Sequence, residues 1–81
     1  MPKTIKLSRH AKNRNRRIKA TAQEMREALD IPDSHYYLTE QDRHVAIKAV
    51  GKRVLKIVYK VEGKGYHIIT IIDRARQGRE R

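Results

Sequence analysis

The second half of the chain alternates hydrophobic and polar residues with a period of two. This alternation is typical of β-strands that bury one face. The predicted strands are Tyr36–Thr39, Arg43–Val50, Arg53–Val61 and Tyr66–Ile72. The segments between them are short and polar or glycine-bearing, as expected for the turns of antiparallel hairpins. The last predicted strand carries apolar residues on both faces, so we expect it at the centre of a sheet, followed by a charged tail from Asp73.

The first half of the chain repeats its apolar residues at helical spacing instead. Ser8 is placed to cap a first helix that ends near Ile18, and the apolar stripe of this helix is thin. Thr21 and Glu24 form the Thr-x-x-Glu pattern of a capping box, which opens a second helix. Pro32 ends that helix because proline has no amide hydrogen to donate.

These elements predict an α+β fold in one domain over residues 1–81. Helices followed by strands favour helices packed together on one side of a sheet. We expect two N-terminal helices on one face of a three- to four-stranded antiparallel sheet. The segment Lys3–Leu7, ahead of the first helix, is interpreted as a short strand or an extended arm. The other face of the sheet would then be free to bind a partner.

The two ends of the chain are more basic than its middle. Twenty Lys and Arg against nine Asp and Glu give a formal net charge of +11. Residues 9–19 contain six cations and no acid, and the tail is basic too. Because a positive field attracts polyanions, nucleic acid is the first candidate partner and an acidic protein the second. Ordinary solubilising surface charge is the alternative. The predicted phosphate contacts are Arg14 and Arg17 at one end and Arg76 and Arg79 at the other.

Other partner classes find little support in the sequence. No apolar stretch approaches the ~20 residues needed to cross a bilayer, and no apolar signal segment opens the chain. There is no cysteine, and the four histidines lack the spacing of a metal site. We therefore expect a cytoplasmic protein without a metal, a small-molecule cofactor or a membrane contact.

His10 is the first candidate for chemistry. On the predicted helix Arg14 follows it at i+4 and Arg17 at i+7, so the three side chains share one face. Such an imidazole can take a proton from a ribose 2′-hydroxyl while the arginines neutralise the charge that develops on the phosphate. Alternatively, His10 caps or packs and the arginines only bind phosphate. The residues themselves leave both alternatives open.

The strands carry further candidates for a metal-independent site. Arg53 and Tyr59 share strand parity, whereas Lys56 has the opposite parity unless a bulge intervenes. Arg74 follows the last predicted strand. These basic and phenolic groups could bind or activate a phosphodiester without a metal ion.

Other side chains on the strands suit packing as well as binding. The four tyrosines can stack nucleobases or fill the sheet; they are Tyr36, Tyr37, Tyr59 and Tyr66. Simple alternation places His67 on the same strand face as Ile69, Ile71 and Asp73. We interpret it as an ordinary strand-edge histidine.

The order of these motifs resembles the small RelE/ParE-like toxins, and most of all their BrnT-like branch and related domains with a His-Ala-x-x-Arg opening. The opening here is Ser8-Arg9-His10-Ala11-Lys12-Asn13-Arg14, and the later segments are VLKIVYKVEG and YHIITIIDRAR. The resemblance implies a RelE-like fold and the toxin role in a type II toxin–antitoxin system. It also implies metal-independent endoribonuclease action on mRNA, free or ribosome-bound, and an acidic antitoxin as protein partner.

Candidate catalytic residues follow from the helix face and from this resemblance taken together. They are His10, Arg53, Lys56, Tyr59 and Arg74. ParE-like relatives act on gyrase rather than on RNA, so the fold does not fix the function. A non-catalytic nucleic-acid-binding module and a toxin with a protein target are the alternatives.

Overall fold

Five β-strands form one mixed sheet that carries two helices on one face. The structure, a computed structural model, describes residues 4–75. In chain order the elements are β1 (Thr4–Leu7), α1 (Arg9–Ile18), α2 (Ala22–Asp30), β2 (Ser34–Leu38), β3 (Arg43–Val50), β4 (Arg53–Glu62) and β5 (Gly65–Ala75). The strand order across the sheet is β1-β5-β4-β3-β2. β1 is parallel to β5, and the other neighbouring strands are antiparallel.

The first strand corrects the predicted sheet. The segment interpreted as a strand or an arm is β1, which pairs with β5 from Thr4 beside Gly65 to Leu7 beside Ile68. The prediction of a three- to four-stranded antiparallel sheet behind two N-terminal helices is therefore wrong. The sheet has five strands, it is mixed, and α1 follows β1. Four alternating residues were too few to show that their partner lies at the other end of the chain.

Gly65 is the residue that lets β1 approach β5. A Cβ atom at this position would overlap the Thr4 Oγ1 atom and lie 2.9 Å from the Thr4 carbonyl oxygen. Glycine avoids both contacts because it has no side chain. The start of the parallel pair therefore depends on a glycine at this position.

Both helices begin as predicted, and their caps are confirmed. The Ser8 hydroxyl accepts a hydrogen bond from the Ala11 N–H at 3.1 Å and caps α1. At α2 the Thr21 hydroxyl accepts from the Glu24 N–H at 3.1 Å, and the Glu24 carboxylate accepts from the Thr21 N–H at 2.9 Å. This reciprocal pair is the predicted capping box. α2 ends at Asp30, two residues before the proline.

The hydrophobic core lies between the helices and one face of the sheet. α1 packs mainly on β5, whereas α2 packs on β3 and β4. Small residues bring the helices close to the sheet: Ala11 of α1 and Ala28 of α2 are fully buried. The largest fully buried side chains of this core are Leu55, Ile57, Ile68 and Ile71. β4 and β5 thus supply most of the sheet's share of the core.

A β-bulge changes which residues of β5 share a face. The register of β4 and β5 shifts after Val58, and Ile69 has no partner on β4. The extra residue interrupts the alternation of side chains along β5. His67 therefore lies on the face opposite to Ile71 and Asp73, and the prediction that it shares their face is wrong. β5 also extends to Ala75, so the segment predicted as a tail begins inside the sheet.

The second face of the sheet has no helix over it in residues 4–75. We call it the open face. Strand register and alternation assign to it Thr4, Lys6, Ser34, Tyr36, Leu38, Arg43, Val45, Ile47, Ala49, Val54, Lys56, Val58, Lys60, Glu62, His67, Thr70, Ile72 and Arg74. Val45 is 0% exposed although it does not belong to the core under the helices, because its neighbours on the open face cover it.

Candidate nucleic-acid interface

α1 turns its cations toward solvent. Its core side consists of Ala11, with Asn15 and Ile18 partly buried. The exposed cations of this segment form what we call the α1 cationic surface; they are Arg9, Lys12, Arg14, Arg16, Arg17 and Lys19. No acid interrupts them along the chain. A surface with this density of one sign raises the local concentration of a polyanion.

Hydrogen bonds fix α1 to the edge of β5. Ser8 follows the last residue of β1 and continues the contact with β5. The Ser8 N–H donates to Ile68 O at 2.9 Å, and the Ser8 hydroxyl donates to Ile69 O at 2.9 Å. Nearly two turns further along α1, Arg14 Nε donates to Ile71 O at 2.9 Å. These bonds occupy carbonyl groups that β1 does not reach. They hold the α1 cationic surface in a fixed position relative to the sheet.

The C-terminal end of α1 is equally well defined. Lys19 has a left-handed conformation with φ of 59°, and its N–H donates to Asn15 O at 2.7 Å. The Asn15 side chain accepts from the Ala20 N–H at 2.9 Å and donates to Ala20 O at 3.1 Å. Arg16 and Arg17 occupy the last turn, where cations interact favourably with the helix dipole.

A groove of about 390 Å³ lies between α1 and β5. It is lined by His10, Asn13, Arg14, Arg17, Ile18 and Asp73. The structure therefore brings together three predicted site residues, the imidazole of His10 and the guanidinium groups of Arg14 and Arg17. Arginine is the side chain best shaped to bind phosphate oxygens in pairs. The groove combines room for a phosphate group with the charge to hold one.

The Arg53 side chain makes contacts that connect the C-terminal end of α1 to the rest of the fold. Its Nη1 donates to Ile18 O, and its Nη2 lies 2.9 Å from Glu24 Oε1 and 3.4 Å from Lys19 O. The same guanidinium lies 3.5 Å from Asp73 Oδ2. These contacts join the end of α1 to α2 and β5. Arg53, predicted as catalytic, is placed as a structural tie rather than at the groove surface.

The carboxylate of Glu24 shows the effect of these contacts. The hydrogen bond from the Thr21 backbone N–H, together with the nearby Arg53 guanidinium, lowers the pKa of Glu24 below its ordinary value of 4.5. Both contacts favour the charged carboxylate. The capping box and the Arg53 tie therefore act on one group.

The other predicted catalytic residues do not join His10. Tyr59 is only 5% exposed and lies on the helix-bearing face, where burial raises the pKa of its hydroxyl. Lys56 lies beside Ile72 on the open face, and Arg74 lies there too. The predicted set is thus divided between two faces of the sheet and the α1 groove. Arg76 and Arg79 lie outside the described residues.

A row of aromatic rings crosses the helix-bearing face beyond α2, and the sequence did not predict it. The His44 ring lies 5.2 Å from Tyr59 and 4.9 Å from Tyr37, and the Tyr59 ring lies 5.3 Å from Tyr66. His35 joins the row through its Nε2, 3.2 Å from His44 Nδ1. Alternation gave the face of each residue on its own strand, but only the register between strands brings the rings together.

Acidic side chains lie beside this row and contact the hydroxyl groups of two of its tyrosines. The Tyr37 hydroxyl donates to Asp42, and this hydrogen bond raises the pKa of Tyr37. The Tyr66 hydroxyl lies 3.4 Å from Asp30 Oδ1, and burial followed by that carboxylate raises the pKa of Tyr66. Nearby carboxylates repel phosphates. The α1 groove has one carboxylate in its lining, Asp73, which lies 3.5 Å from the Arg53 guanidinium and beside the groove arginines, so the groove suits a polyanion better than the aromatic row does.

Metal binding and membrane insertion are two further possibilities on which residues 4–75 bear. Within this range no three or more His, Cys, Asp or Glu side chains come together as a metal site. Neither described helix is long and apolar enough to cross a membrane.

Comparison of the chain with models of protein families, with curated proteins and with solved structures gave no significant match. The resemblance to RelE/ParE-like toxins therefore stays a prediction made from the sequence.

Proposed function

We propose that this protein binds single-stranded nucleic acid, RNA in the first place, through the α1 cationic surface and its groove. The observation that carries the proposal is the groove itself, in which His10, Arg14 and Arg17 face one cavity on a helix with no acidic residue. Phosphate contacts of this kind supply most of the affinity in non-specific binding because each releases condensed counterions.

The anchoring of α1 supports the proposal. Because the Ser8 and Arg14 bonds hold the helix on the β5 edge, the backbone that carries its cations is fixed before a phosphate chain binds. A prearranged surface loses less conformational entropy on binding than a flexible basic tail does. The net charge of +11 adds long-range attraction to the local contacts.

Cleavage of the bound RNA is the second candidate, and the position of His10 in the groove favours it. In that reaction His10 takes the proton of a ribose 2′-hydroxyl, whose oxygen attacks the adjacent phosphorus. The bond from phosphorus to the 5′-oxygen breaks, a 2′,3′-cyclic phosphate forms, and the leaving oxygen takes a proton from water. Arg17 would stabilise the added negative charge. The toxin role and the acidic antitoxin rest on the sequence resemblance alone.

The test of binding is the salt dependence of affinity for a short single-stranded RNA. We expect the double variant Arg16→Gln/Arg17→Gln to bind more weakly and to reduce the slope of log K against log salt by about 1.4, from about 0.7 per lost phosphate contact. Lys48→Gln is the matched control, since it removes a cation that lies 3.5 Å from Asp33, away from α1. Equal slopes for wild type and the double variant would contradict the proposal.

Cleavage is tested separately with His10→Ala. If His10 is the base, this variant keeps its affinity for RNA and loses cleavage, because an exposed imidazole contributes little to the fold. The assay follows labelled RNA with and without ribosomes. Intact RNA after incubation with the wild-type protein would remove the catalytic candidate and leave the binding proposal standing.

A further inference from the structure

The open face carries a row of two lysines and a histidine fixed by strand register. His67 of β5 pairs with Lys60 of β4 on one side and with Lys6 of β1 on the other. Neighbouring strands lie ~4.8 Å apart, so Lys6 and Lys60 are separated by about 10 Å with the imidazole between them. We call Lys6, His67 and Lys60 the cross-strand row. The bulge creates it, because simple alternation would have placed His67 on the other face.

The cross-strand row is under-neutralised. The two lysines lie on strands that β5 separates, so both ammonium groups face the open side of the sheet without directly opposing each other. Glu62 Oε2 lies 3.6 Å from His67 Nδ1, and within residues 4–75 no other carboxylate lies on the open face. Among the described residues neither Lys6 nor Lys60 forms an ion pair. Both ammonium groups are therefore available to an anion on the open face.

A small cleft of about 100 Å³ lies at one end of the row. It is lined by Thr4, Lys6, Glu62, Gly65, Tyr66 and His67. The Nδ1 atom of His67 is buried without a hydrogen bond, close to Glu62. With Nδ1 next to the carboxylate, Nε2 is the nitrogen left to face a ligand.

The rest of the open face combines charged and apolar side chains. Lys56, Arg74 and Arg43 add three more cations, and Glu62 is the one acidic residue that the described strands place there. Apolar residues such as Val45 and Ile72 lie among them. Tyr36 is 43% exposed on this face, whereas its neighbour Tyr37 is 45% exposed on the other. Cations in a row and an accessible aromatic ring suit a nucleic acid strand better than an acidic protein, which offers no bases to stack.

We infer that the open face is a second binding surface for single-stranded nucleic acid, on which the cross-strand row contacts phosphates and Tyr36 stacks on a base. The inference rests on the proposed function, since it adds a surface to the same activity. The two surfaces lie on opposite sides of the sheet, so one strand would wrap around the β5 edge or two segments would bind at once.

The phosphate contacts are tested with Lys6→Gln/Lys60→Gln and a short oligouridylate. We expect the slope of log K against log salt to fall by about 1.4, which over one decade of salt corresponds to about 25-fold in affinity. The double variant should unfold at about the same temperature as wild type, because neither lysine takes part in an ion pair among the described residues. Lys48→Gln/Lys52→Gln is the control that removes two cations outside the open face.

The base contact is tested with the matched pair Tyr36→Leu and Tyr37→Leu. Both replace an exposed ring of β2, but on opposite faces. We expect about 5-fold or greater loss of oligouridylate affinity for Tyr36→Leu, from ~1 kcal/mol per stacked base, and little loss for Tyr37→Leu. Equal losses, or none, would contradict the assignment of Tyr36.

These outcomes separate the inference from the proposed function. If Arg16→Gln/Arg17→Gln weakens binding while Lys6→Gln/Lys60→Gln matches its control, the proposed function stands and the open face is excluded. If the wild-type protein binds no oligouridylate, both fail. Self-association of the wild type that Lys6→Gln/Lys60→Gln abolishes would show that a second copy of the chain covers the open face, and would overturn the inference.

Discussion

At the scale of single residues, the arrangement depends on a few atoms that sequence patterns do not reveal. Gly65 is the clearest case, because the backbone of Thr4 occupies the space of its missing side chain. The sequence shows only a Gly-Lys-Gly turn ahead of the last strand. The need for glycine at the second of these positions comes from β1, which arrives from the other end of the chain.

We expect Gly65→Ala to lower the free energy of unfolding by about 1–3 kcal/mol, the usual cost of forcing a group into a filled site. The new Cβ would meet Thr4 Oγ1 and the Thr4 carbonyl oxygen. Urea unfolding measures the change. The double variant Thr4→Ala/Gly65→Ala should recover part of the loss because one of the two contacts disappears. Unchanged stability of Gly65→Ala would show that β1 moves aside without cost.

Glu24 predicts how acid affects the fold. Its pKa is lowered in the folded protein, so its stabilising effect is complete above its ordinary value of 4.5 and is lost as the pH falls through the folded pKa. Glu24→Gln should therefore lose stability at neutral pH and become less sensitive to acid. Melting temperatures of both proteins at about pH 7 and about pH 3 measure this difference. The result is contradicted if the two proteins lose the same amount on acidification.

At the scale of elements, the two helices differ in what holds them. α2 buries Met25, Ala28 and Leu29, whereas α1 fully buries only Ala11. Helices with a thin apolar stripe need other tertiary contacts for stability. For α1 these are polar: Ser8 and Arg14 bind carbonyl oxygens of β5. The polar attachment leaves the remaining sides of α1 free to carry cations.

Ser8→Ala tests that attachment. It removes the α1 cap, worth about 1 kcal/mol, and leaves Ile69 O without its donor at a further cost of about 1 kcal/mol. Thr21→Ala is the control, because Thr21 caps α2 at an exposed site without a bond to the sheet. Denaturant unfolding should show a larger loss for Ser8→Ala, about 2 kcal/mol against about 1 kcal/mol. Equal losses would mean that the tie to β5 adds nothing.

The elements also show what could be predicted from the sequence. Ser8 and the Thr21–Glu24 box are local signals, since a cap bonds to amides within three residues, and both helices start where these signals place them. The pairing of β1 with β5 is a contact between the two ends of the chain, and no local pattern reports it. The bulge at Ile69 has the same origin, because it exists only in the register between two strands.

The candidate site residues divide in the same way, into those placed by local spacing and those placed by long-range contacts. His10, Arg14 and Arg17 belong to one helix, so their spacing alone predicted that they meet. The strand candidates depended on register and on long-range partners. Arg53 is bound by the end of α1 and by Glu24, contacts that parity along β4 could not indicate. The cross-strand row was missed for this reason too.

At the scale of the whole molecule, the net positive charge lowers the stability of the fold. The chain carries a net charge of +11, and like charges in a small fold repel. We expect the melting temperature to rise between about 0.05 and about 0.5 M NaCl as screening weakens this repulsion. Lys6→Gln/Lys60→Gln should show a smaller rise, since it carries two fewer positive charges. A melting temperature independent of salt would contradict this picture.

The parallel pairing of β1 with β5 also sets how the fold bears tension. The described chain begins at Thr4 in one strand and ends at Ala75 in its neighbour, and the two ends point in opposite directions along the sheet. A force that pulls them apart slides the strands past each other and loads their hydrogen bonds in shear, all at once. The Ser8 and Arg14 bonds to β5 lie on the same seam and share that load. We therefore expect the fold to withstand a larger force when it is pulled from Thr4 and Ala75 than when the β3–β4 hairpin is peeled open one hydrogen bond at a time.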